Sequence, residues 1–285
     1  MQASGTLPPR QPGIFGNWQV KRWPWWAFFL ILTGITLVII IFTSDNYRET
    51  FIYLTGGVYT TLRITLFSYI LATVLGLVAG LARVSKNVFL YNISTLYVET
   101  VRGIPLVVIL LYIAFALVPV LVELTNRLGA WGVTVLPGAF FQSLADFSIR
   151  SIPMEGRAII ALGIGYGAYE AEVFRAGIQS ISKGQTEAAR SLGMTYFQAM
   201  RFIILPQAIR RILPPLGNDF IACLKDSSLA TVLAVDELTQ LGRLRRASTF
   251  RVLETFNVVA FLYLSMTLLL SAGVRWLERK MKIEE

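Results

Sequence analysis

Six apolar segments, separated by polar and charged connections, dominate the pattern of the chain. A helix needs about 20 predominantly apolar residues to cross the hydrocarbon core of a bilayer. The segments lie at residues 27–42, 57–82, 101–122, 157–178, 203–224 and 252–276. Each is about long enough to span, the first when its flanking tryptophans are included. The pattern therefore predicts an all-α polytopic membrane protein with about six transmembrane helices.

The first apolar segment follows a polar stretch, residues 1–22, which we predict to be a disordered cytoplasmic tail. A secretory signal peptide is an alternative, because it also combines a basic start with an apolar core. The segment ends in Thr-Ser-Asp-Asn-Tyr at 43–47, and no small-residue cleavage site follows it. We therefore predict an uncleaved N-terminal transmembrane helix over residues 23–45.

The charge distribution agrees with a membrane protein. Hydrophobic residues make up 55% of the 285 residues and charged residues 15%, with a net charge of +9, whereas a soluble domain carries about 25% charged residues. The positive-inside rule explains the basic excess. With six spans, most basic residues fall on the same side of the membrane, namely Lys21, Arg22, Arg83, Lys86, Lys183, Arg190, Arg201 and the basic C-terminal tail. The arginines within 243–251 fall on the other side, against the rule. We expect both termini in the cytoplasm, and a membrane-anchored nucleic-acid binder has only the net charge in its favour.

Composition excludes several kinds of chemistry. The sequence contains no histidine and one cysteine, Cys223, which removes His-based acid–base catalysis, intrachain disulfides and Cys- or His-based zinc sites. No lysine follows a glycine, so the sequence contains no P-loop. We expect no catalytic residue and no metal site. If this protein uses ATP, another chain hydrolyses it.

The second and fourth segments contain features that predict close contacts between helices. Gly76 and Gly80 form a G-x-x-x-G spacing, which lets two helices approach closely. That spacing fits an interface between subunits and packing within one chain equally well. The fourth segment contains Glu170, Glu172 and Arg175. Since buried carboxylates are costly unless they are paired or face a water-filled path, this helix lines a pathway or packs against partners that satisfy it.

The connection after the fourth segment contains the most specific motif. Its order is Glu-Ala-Ala, three residues, Gly, nine residues, Ile, one residue and Leu-Pro, formed by Glu187, Ala188, Ala189, Gly193, Ile203, Leu205 and Pro206. The full spacing resembles the E-A-A-x-x-x-G-x9-I-x-L-P loop of the permease subunits of ABC importers. Stretches at 97–106, 171–178 and 224–230 are similar to polar amino-acid uptake permeases.

The resemblance covers about residues 52–285. It implies a five-helix importer-permease core, with the predicted first span as an extra N-terminal helix. The connection at 123–156 looks longer than in the shortest members of the family.

The loop itself has the properties of a helix–turn–helix shelf. Residues 185–192 can form a short helix with one face made of Ala188, Ala189 and Leu192. Gly193 can supply the positive φ that ends this helix, and a second amphipathic stretch follows at 195–205. We expect residues 182–206 to form a shelf that docks in a groove of an ATPase. An interfacial helix without a partner is the alternative.

The resemblance implies the membrane subunit of an ATP-driven amino-acid importer in a bacterial cell (inner) membrane. Separate ATPase subunits would bind ATP and Mg, a second permease (identical or related) would pair with this one, and an extracytoplasmic binding protein would deliver the amino acid. Glu187 and Arg190 would give the shelf charge complementarity or anchor it to its own second helix. The alternative class is a self-sufficient secondary transporter or channel. That class needs its own coupling-ion site and often an inverted repeat, and no internal repeat is found here.

The fourth span supplies candidate pathway residues. Glu172 lies in a family-like stretch with Arg175 within pairing reach, so we predict a structural role for this pair. Glu170 points about 200° away from Glu172 around the helix and shares a face with Tyr166. Glu170 is therefore the candidate that faces the substrate pathway, a polar contact with the partner permease being the alternative. Polar groups after the fifth span could complete the site, namely Asp226, Ser227, Ser228 and Thr231.

Overall fold

The computed structural model describes residues 25–136 and 138–281. The predicted tail at 1–22, the start of the predicted first span at 23–24 and the C-terminal residues 282–285 lie outside the described residues. Within the described ranges every regular element is helical. The all-α class is therefore confirmed.

In the described ranges the α-helices are α1 (Trp25–Thr43), α2 (Asp45–Val84), α3 (Val88–Gly103), α4 (Leu106–Tyr112), α5 (Val118–Val135), α6 (Ala139–Ala145), α7 (Met154–Gln179), α8 (Lys183–Ser191), α9 (Tyr196–Ala199), α10 (Leu205–Asp226), α11 (Leu238–Thr249) and α12 (Val252–Met281). π-Helical turns join α4 to α5 and α9 to α10 at Ile113–Leu117 and Met200–Ile204. Turns of 3₁₀ helix lie at Ile149–Ser151 and Ser227–Leu233.

Four stretches of the described chain are long and apolar enough to cross a membrane: Trp25–Thr43, Asp45–Val84, Leu106–Val135 and Val252–Lys280. α7 and α10, at the predicted fourth and fifth spans, are long helices that do not reach this apolarity. Other helices cover much of α7, whose buried positions include Arg157 and Glu170, so lipid need not solvate its polar side chains. The count of six spans is not confirmed and stays a prediction.

The predicted third span, 101–122, is wrong at both ends. The backbone leaves helical geometry at Ile104 and Pro105, where ψ is 136° and 135°, because a proline disfavours helical geometry in the residue before it. The apolar stretch therefore starts at Leu106 and continues through the π-helical turn to Val135. The first part of the connection predicted at 123–156 is helical.

α2 and α7 form the central helix pair, and glycines set their separation. A Cβ added at Gly76 would lie 2.7 Å from the Cβ of Glu170, and one added at Gly80 would lie 2.7 Å from the Cβ of Phe174. Both distances are shorter than side chains allow, so the two helices approach to near backbone contact. The G-x-x-x-G spacing thus serves packing within the chain, the second of the two alternatives.

An apolar cluster joins α1, α2, α11 and α12, with Ile41, Leu54, Leu238 and Val258 buried in it. The backbone N–H of Leu238 donates a hydrogen bond to Oγ1 of Thr61, 3.1 Å away. α11 therefore packs on the N-terminal half of α2. α7 runs parallel to α2, because Arg63 pairs with Glu155 near the start of both helices and Arg83 pairs with Glu172 near their ends. Since α7 leads into α8, the region around α11 and the shelf lie at opposite ends of the bundle.

Arg157, at the start of α7, is buried and bonds three backbone carbonyls. Its guanidinium donates to the carbonyl oxygens of Ile152 at 3.0 Å, Ala114 at 3.0 Å and Ile149 at 3.2 Å. The charge is thus solvated by peptide dipoles rather than by a carboxylate. This arrangement ties the start of α7 to the π-helical turn and to the connection that precedes α7.

We predict that Gly76→Leu lowers the stability of the purified protein in detergent by about 1–3 kcal/mol or more, the usual cost of overpacking. The added side chain would collide with Glu170 and with the backbone N of Ala171. Thermal unfolding should show a lower Tm than for Gly34→Leu, since no atom lies within 4 Å of a Cβ at Gly34. Equal Tm values for the two variants would contradict the tight α2–α7 contact.

We also predict that transport tolerates an unrelated leucine–alanine span in place of residues 27–42, provided that Ile41 is kept. Ile41 is the buried residue of α1, and the other side chains of this helix are half-buried or exposed. The measurement is uptake by the variant after membrane insertion and assembly have been verified. Loss of uptake in a correctly inserted variant would show that α1 takes part in the transport cycle.

Candidate coupling loop and buried polar site

The shelf begins with α8, whose two ends are capped. Oγ of Ser182 accepts a hydrogen bond from the N–H of Gly184 at 3.2 Å, which satisfies one of the free N–H groups of the first turn. At the other end Gly193 has φ of +82°, and the N–H of Met194 donates to the carbonyl of Ala189 at 3.1 Å. The left-handed turn predicted at Gly193 is therefore present, and it reverses the chain.

The second arm of the shelf starts with a reciprocal cap. The N–H of Thr195 donates to Oε1 of Gln198 at 2.8 Å, and the N–H of Gln198 donates to Oγ1 of Thr195 at 3.3 Å. This is the hydrogen-bond pattern of a capping box. The predicted amphipathic stretch at 195–205 forms α9 and a π-helical turn and leads directly into α10.

An apolar cluster attaches the shelf to the long helices. Phe174 of α7 packs with Ile181, Ile204, Ala208 and Ile212, and Ile203 lies half-buried against them. The guanidinium of Arg211 also donates to the backbone carbonyl of Ser180 at 2.6 Å. Packing and a hydrogen bond therefore attach the shelf to the ends of α7 and α10.

The predicted apolar face of α8 is wrong in part. Ala189 is buried, but Ala188 is exposed and Leu192 is 81% exposed. Glu187 and Arg190 are exposed too and make no ion pair with the described residues, so anchoring to the second arm is not seen. Ala189 is therefore the buried residue of α8, and the other motif residues of this helix, Glu187 and Ala188, are exposed.

An ion-pair network lies near the shelf end of α7. Nε of Arg175 donates to Oε2 of Glu172 at 3.0 Å, and its Nη2 contacts the other carboxylate oxygen. Arg83 of α2 donates to the same Oε2 at 3.0 Å and pairs with Glu99 of α3 at 3.2 Å. The two arginines thus neutralise the carboxylate of Glu172 in the ion-pair network at this end. The predicted pairing of Glu172 with Arg175 is present, and Arg83 extends it to two more helices.

Further along α7, the hydroxyl of Tyr166 donates to Oδ2 of Asp226 at 2.8 Å. Glu170 lies one turn from Tyr166 and is fully buried, with both oxygens unpaired among the described residues. The structure thus brings three of the predicted pathway residues into one region between α2, α7 and α10.

The predicted hydroxyl groups are engaged elsewhere. Oγ of Ser227 donates to the carbonyl of Leu224, and Oγ of Ser228 to that of Lys225. Oγ1 of Thr231 donates to Oε1 of Gln240 at 2.8 Å. The two serines thus close the turn after α10, and Thr231 joins that turn to α11.

Sequence reasoning missed Asp219 of α10, which is half-buried and lies close enough to interact with the charge of Glu170. It also missed Tyr69 and Thr73 of α2, whose hydroxyls lie beside the same carboxylate. The sequence did offer a signal for Asp219, because it is an acidic residue within the predicted fifth span, 203–224. Nothing in the sequence pattern places the two α2 side chains near Glu170.

The fold and the loop can be compared with known proteins. Residues 72–283 match the family described as "binding-protein-dependent transport system inner membrane component". The chain belongs to this family. The permease of an ABC transporter is a transport component without enzymatic activity of its own, in agreement with the sequence-based expectation.

Relatives of this permease cover most of its length. The glutamine transport system permease protein of Escherichia coli K12 is 38% identical over 227 residues, which is 80% of this chain and 92% of the relative. The L-cystine transport system permease protein of Bacillus subtilis 168 is 36% identical over 229 residues, covering 80% and 86% of the two chains.

Solved structures show the same fold. An amino acid ABC transporter crystallised with histidines matches with a TM-score of 0.65 and 35% identity, over 82% of this chain and 95% of that one. An inward-facing structure of the methionine ABC transporter MetNI matches with a TM-score of 0.60 and 22% identity, over 81% and 96% of the two chains. The second likeness concerns the fold alone.

We predict that Gly193→Val in this permease distorts the shelf, because a left-handed conformation costs an L-residue about 1–2 kcal/mol and more when it is β-branched. The expected result is reduced co-purification of an ATPase with the permease. Gly193→Asn is the matched control, since asparagine tolerates this conformation. If valine and asparagine retain the ATPase equally well, the turn is not needed for docking.

Proposed function

We propose that this chain is the membrane-spanning permease of a bacterial ABC importer for amino acids, and that residues 182–206 couple it to the ATPase. The observation that carries the proposal is the shelf: a capped helix, a left-handed turn and a second arm, attached to α7 and α10 and exposed on its motif face. Glutamine and cystine permeases among the relatives support amino acids as the cargo class.

The surface chemistry of the shelf suits a protein partner. Leu192 is 81% exposed and Phe202 is 61% exposed, and the same loop carries the exposed charges of Glu187 and Arg190. An apolar patch with a charged rim is typical of a docking surface. We infer that an ATPase covers this patch. The ATPase, and not this chain, would bind ATP and Mg.

The transport cycle follows from the connections of the shelf. ATP binding would draw two ATPases together and move the shelf, and the cluster around Phe174 would pass this movement to α7 and α10. The long helices would then alternate between outward- and inward-facing arrangements. A second permease, identical or related, and an extracytoplasmic binding protein complete the assembly, which lies in the inner membrane with both termini of this chain cytoplasmic.

The decisive experiment is purification in mild detergent followed by ATP-dependent uptake in vesicles. We expect an ATPase and a second permease to co-purify, and uptake of amino acids to require ATP together with the binding protein. Uptake driven by an ion gradient, without ATP, would instead support a secondary transporter.

We predict that Glu187→Lys weakens ATPase docking about tenfold or more, since a charge reversal at an interface costs at least about 1.4 kcal/mol. Membrane insertion should be unchanged because Glu187 is exposed and forms no ion pair in the described chain. Glu123→Lys, an exposed charge reversal in α5, is the control. ATPase retention and uptake at wild-type levels in Glu187→Lys would refute the coupling role of this residue.

A further inference from the structure

A groove runs between α1 and α12. It consists of two adjoining cavities of about 430 and 350 Å³, which share four lining residues: Leu30, Gly34, Phe261 and Leu264. Sites for small molecules typically have volumes of about 300–1,000 Å³. The lining is apolar apart from Thr33, Asn257 and Ser265, and no charged side chain of the described chain lines either cavity. The groove therefore suits an apolar ligand.

Small residues and the limited packing of α1 create this groove. A Cβ added at Gly34 would have no atom within 4 Å, and Ala260 on the α12 side is exposed. α1 is anchored near its C-terminal end by Ile41, its buried residue, which packs with Leu54 and Leu238. Along residues 29–39, by contrast, the groove separates α1 from α12.

A gap between two helices is costly in a membrane. Van der Waals contacts supply much of the attraction between helices in lipid, and side chains that face a gap forfeit those contacts. A ligand that fills the groove would restore them for α1 and α12 together. It would thus hold α1 to the bundle along a length where protein contacts do not.

The groove lies at membrane depth and has the length of one leaflet. Both of its walls belong to stretches long and apolar enough to cross a membrane, Trp25–Thr43 and Val252–Lys280. Its lining on α1 covers residues 29–39, about 15 Å at the helical rise per residue. Half of the hydrocarbon core of a bilayer is also about 15 Å deep.

One end of the groove is polar and lies on the α11 side of the bundle. Asn257 lines this end and donates a hydrogen bond from Nδ2 to the hydroxyl of Tyr47, 3.2 Å away. The next residue, Val258, belongs to the apolar cluster that contains Leu238 of α11. The groove therefore extends from this polar end into the hydrocarbon core.

We propose that the groove binds an acyl chain of a phospholipid from the leaflet on the α11 side, and that this lipid holds α1 against α12. An acyl chain is apolar and can follow the length of one leaflet. A helix of a second protein is too large, since a cylinder about 10 Å wide and 15 Å long has a volume of about 1,200 Å³, more than either cavity. The matched family region, residues 72–283, includes α12 but not α1, so one wall of the lipid site lies outside that region.

The test fills the groove with protein side chains and counts bound lipid. Gly34→Leu and Ala260→Leu each place a side chain in the groove. Gly273→Leu is the matched control, because Gly273 lies in the same α12, lines neither cavity and also has no atom within 4 Å of an added Cβ. The complex is purified from the native membrane in mild detergent, and native mass spectrometry counts the phospholipids that remain bound. We expect loss of a bound phospholipid in the two groove variants and wild-type retention in Gly273→Leu.

A second measurement locates the lipid. The purified complex is reconstituted in liposomes that contain a phospholipid with a photoreactive diazirine in its acyl chain, and the labelled peptides are identified by mass spectrometry. We expect labelling of residues 29–39 and 257–268 in the wild type and its loss in Gly34→Leu. Labelling of α3, where Phe89 and Leu96 are exposed, is the internal reference and should not change.

The outcomes are distinct from those that test the transport function. Equal lipid retention in the groove variants and the wild type overturns the proposal, and so does a wild type without groove labelling. Release of a second permease by Gly34→Leu, with the lipid count unchanged, overturns it as well and assigns the groove to a protein neighbour. If Gly34→Leu does not insert, Ala260→Leu and the labelling of the wild type decide the matter.

Discussion

The near-backbone contact between α2 and α7 is the constraint on which the rest of the structure depends. Gly76 and Gly80 allow the two helices to lie closer together than any side chain would permit. In a membrane, where apolar side chains gain little from leaving lipid, such close packing supplies much of the attraction between helices. It also buries Glu170 of α7 and leaves Glu172 only partly exposed, so that other helices rather than lipid surround the polar side chains of α7.

The charged side chains enclosed between the helices fall into two classes, those with protein partners and those without. Those that hold the structure are satisfied: Arg157 by three carbonyl groups, Glu172 by Arg83 and Arg175. Glu170 is enclosed without an ion pair in the described part of the chain, with only the hydroxyls of Tyr69 and Thr73 beside it. A group of this kind calls for a ligand or for a movement that exposes it. It lies on α7, next to α10, and the shelf is attached to both helices.

Much of the fold and of the coupling loop could be predicted from the sequence, because both depend on local properties. Apolar length predicts helices in a bilayer, and the spacing from Glu187 to Pro206 identifies the loop without any knowledge of its contacts. The positive φ of Gly193 and the pairing of Glu172 with Arg175 are also local, since each involves residues within one turn. These features remain the same whichever helix packs against them.

What only the tertiary structure decided concerns partners distant in the chain. The sequence could not choose between subunit contact and internal packing for Gly76, and it oriented Leu192 wrongly, because the burial of a helix face depends on which element covers it. It identified Glu170 by its position on the helix. That its two oxygens are unpaired follows from Tyr69 and Thr73 donating to backbone carbonyls, and from Asp219 arriving on α10, contacts that no local pattern specifies.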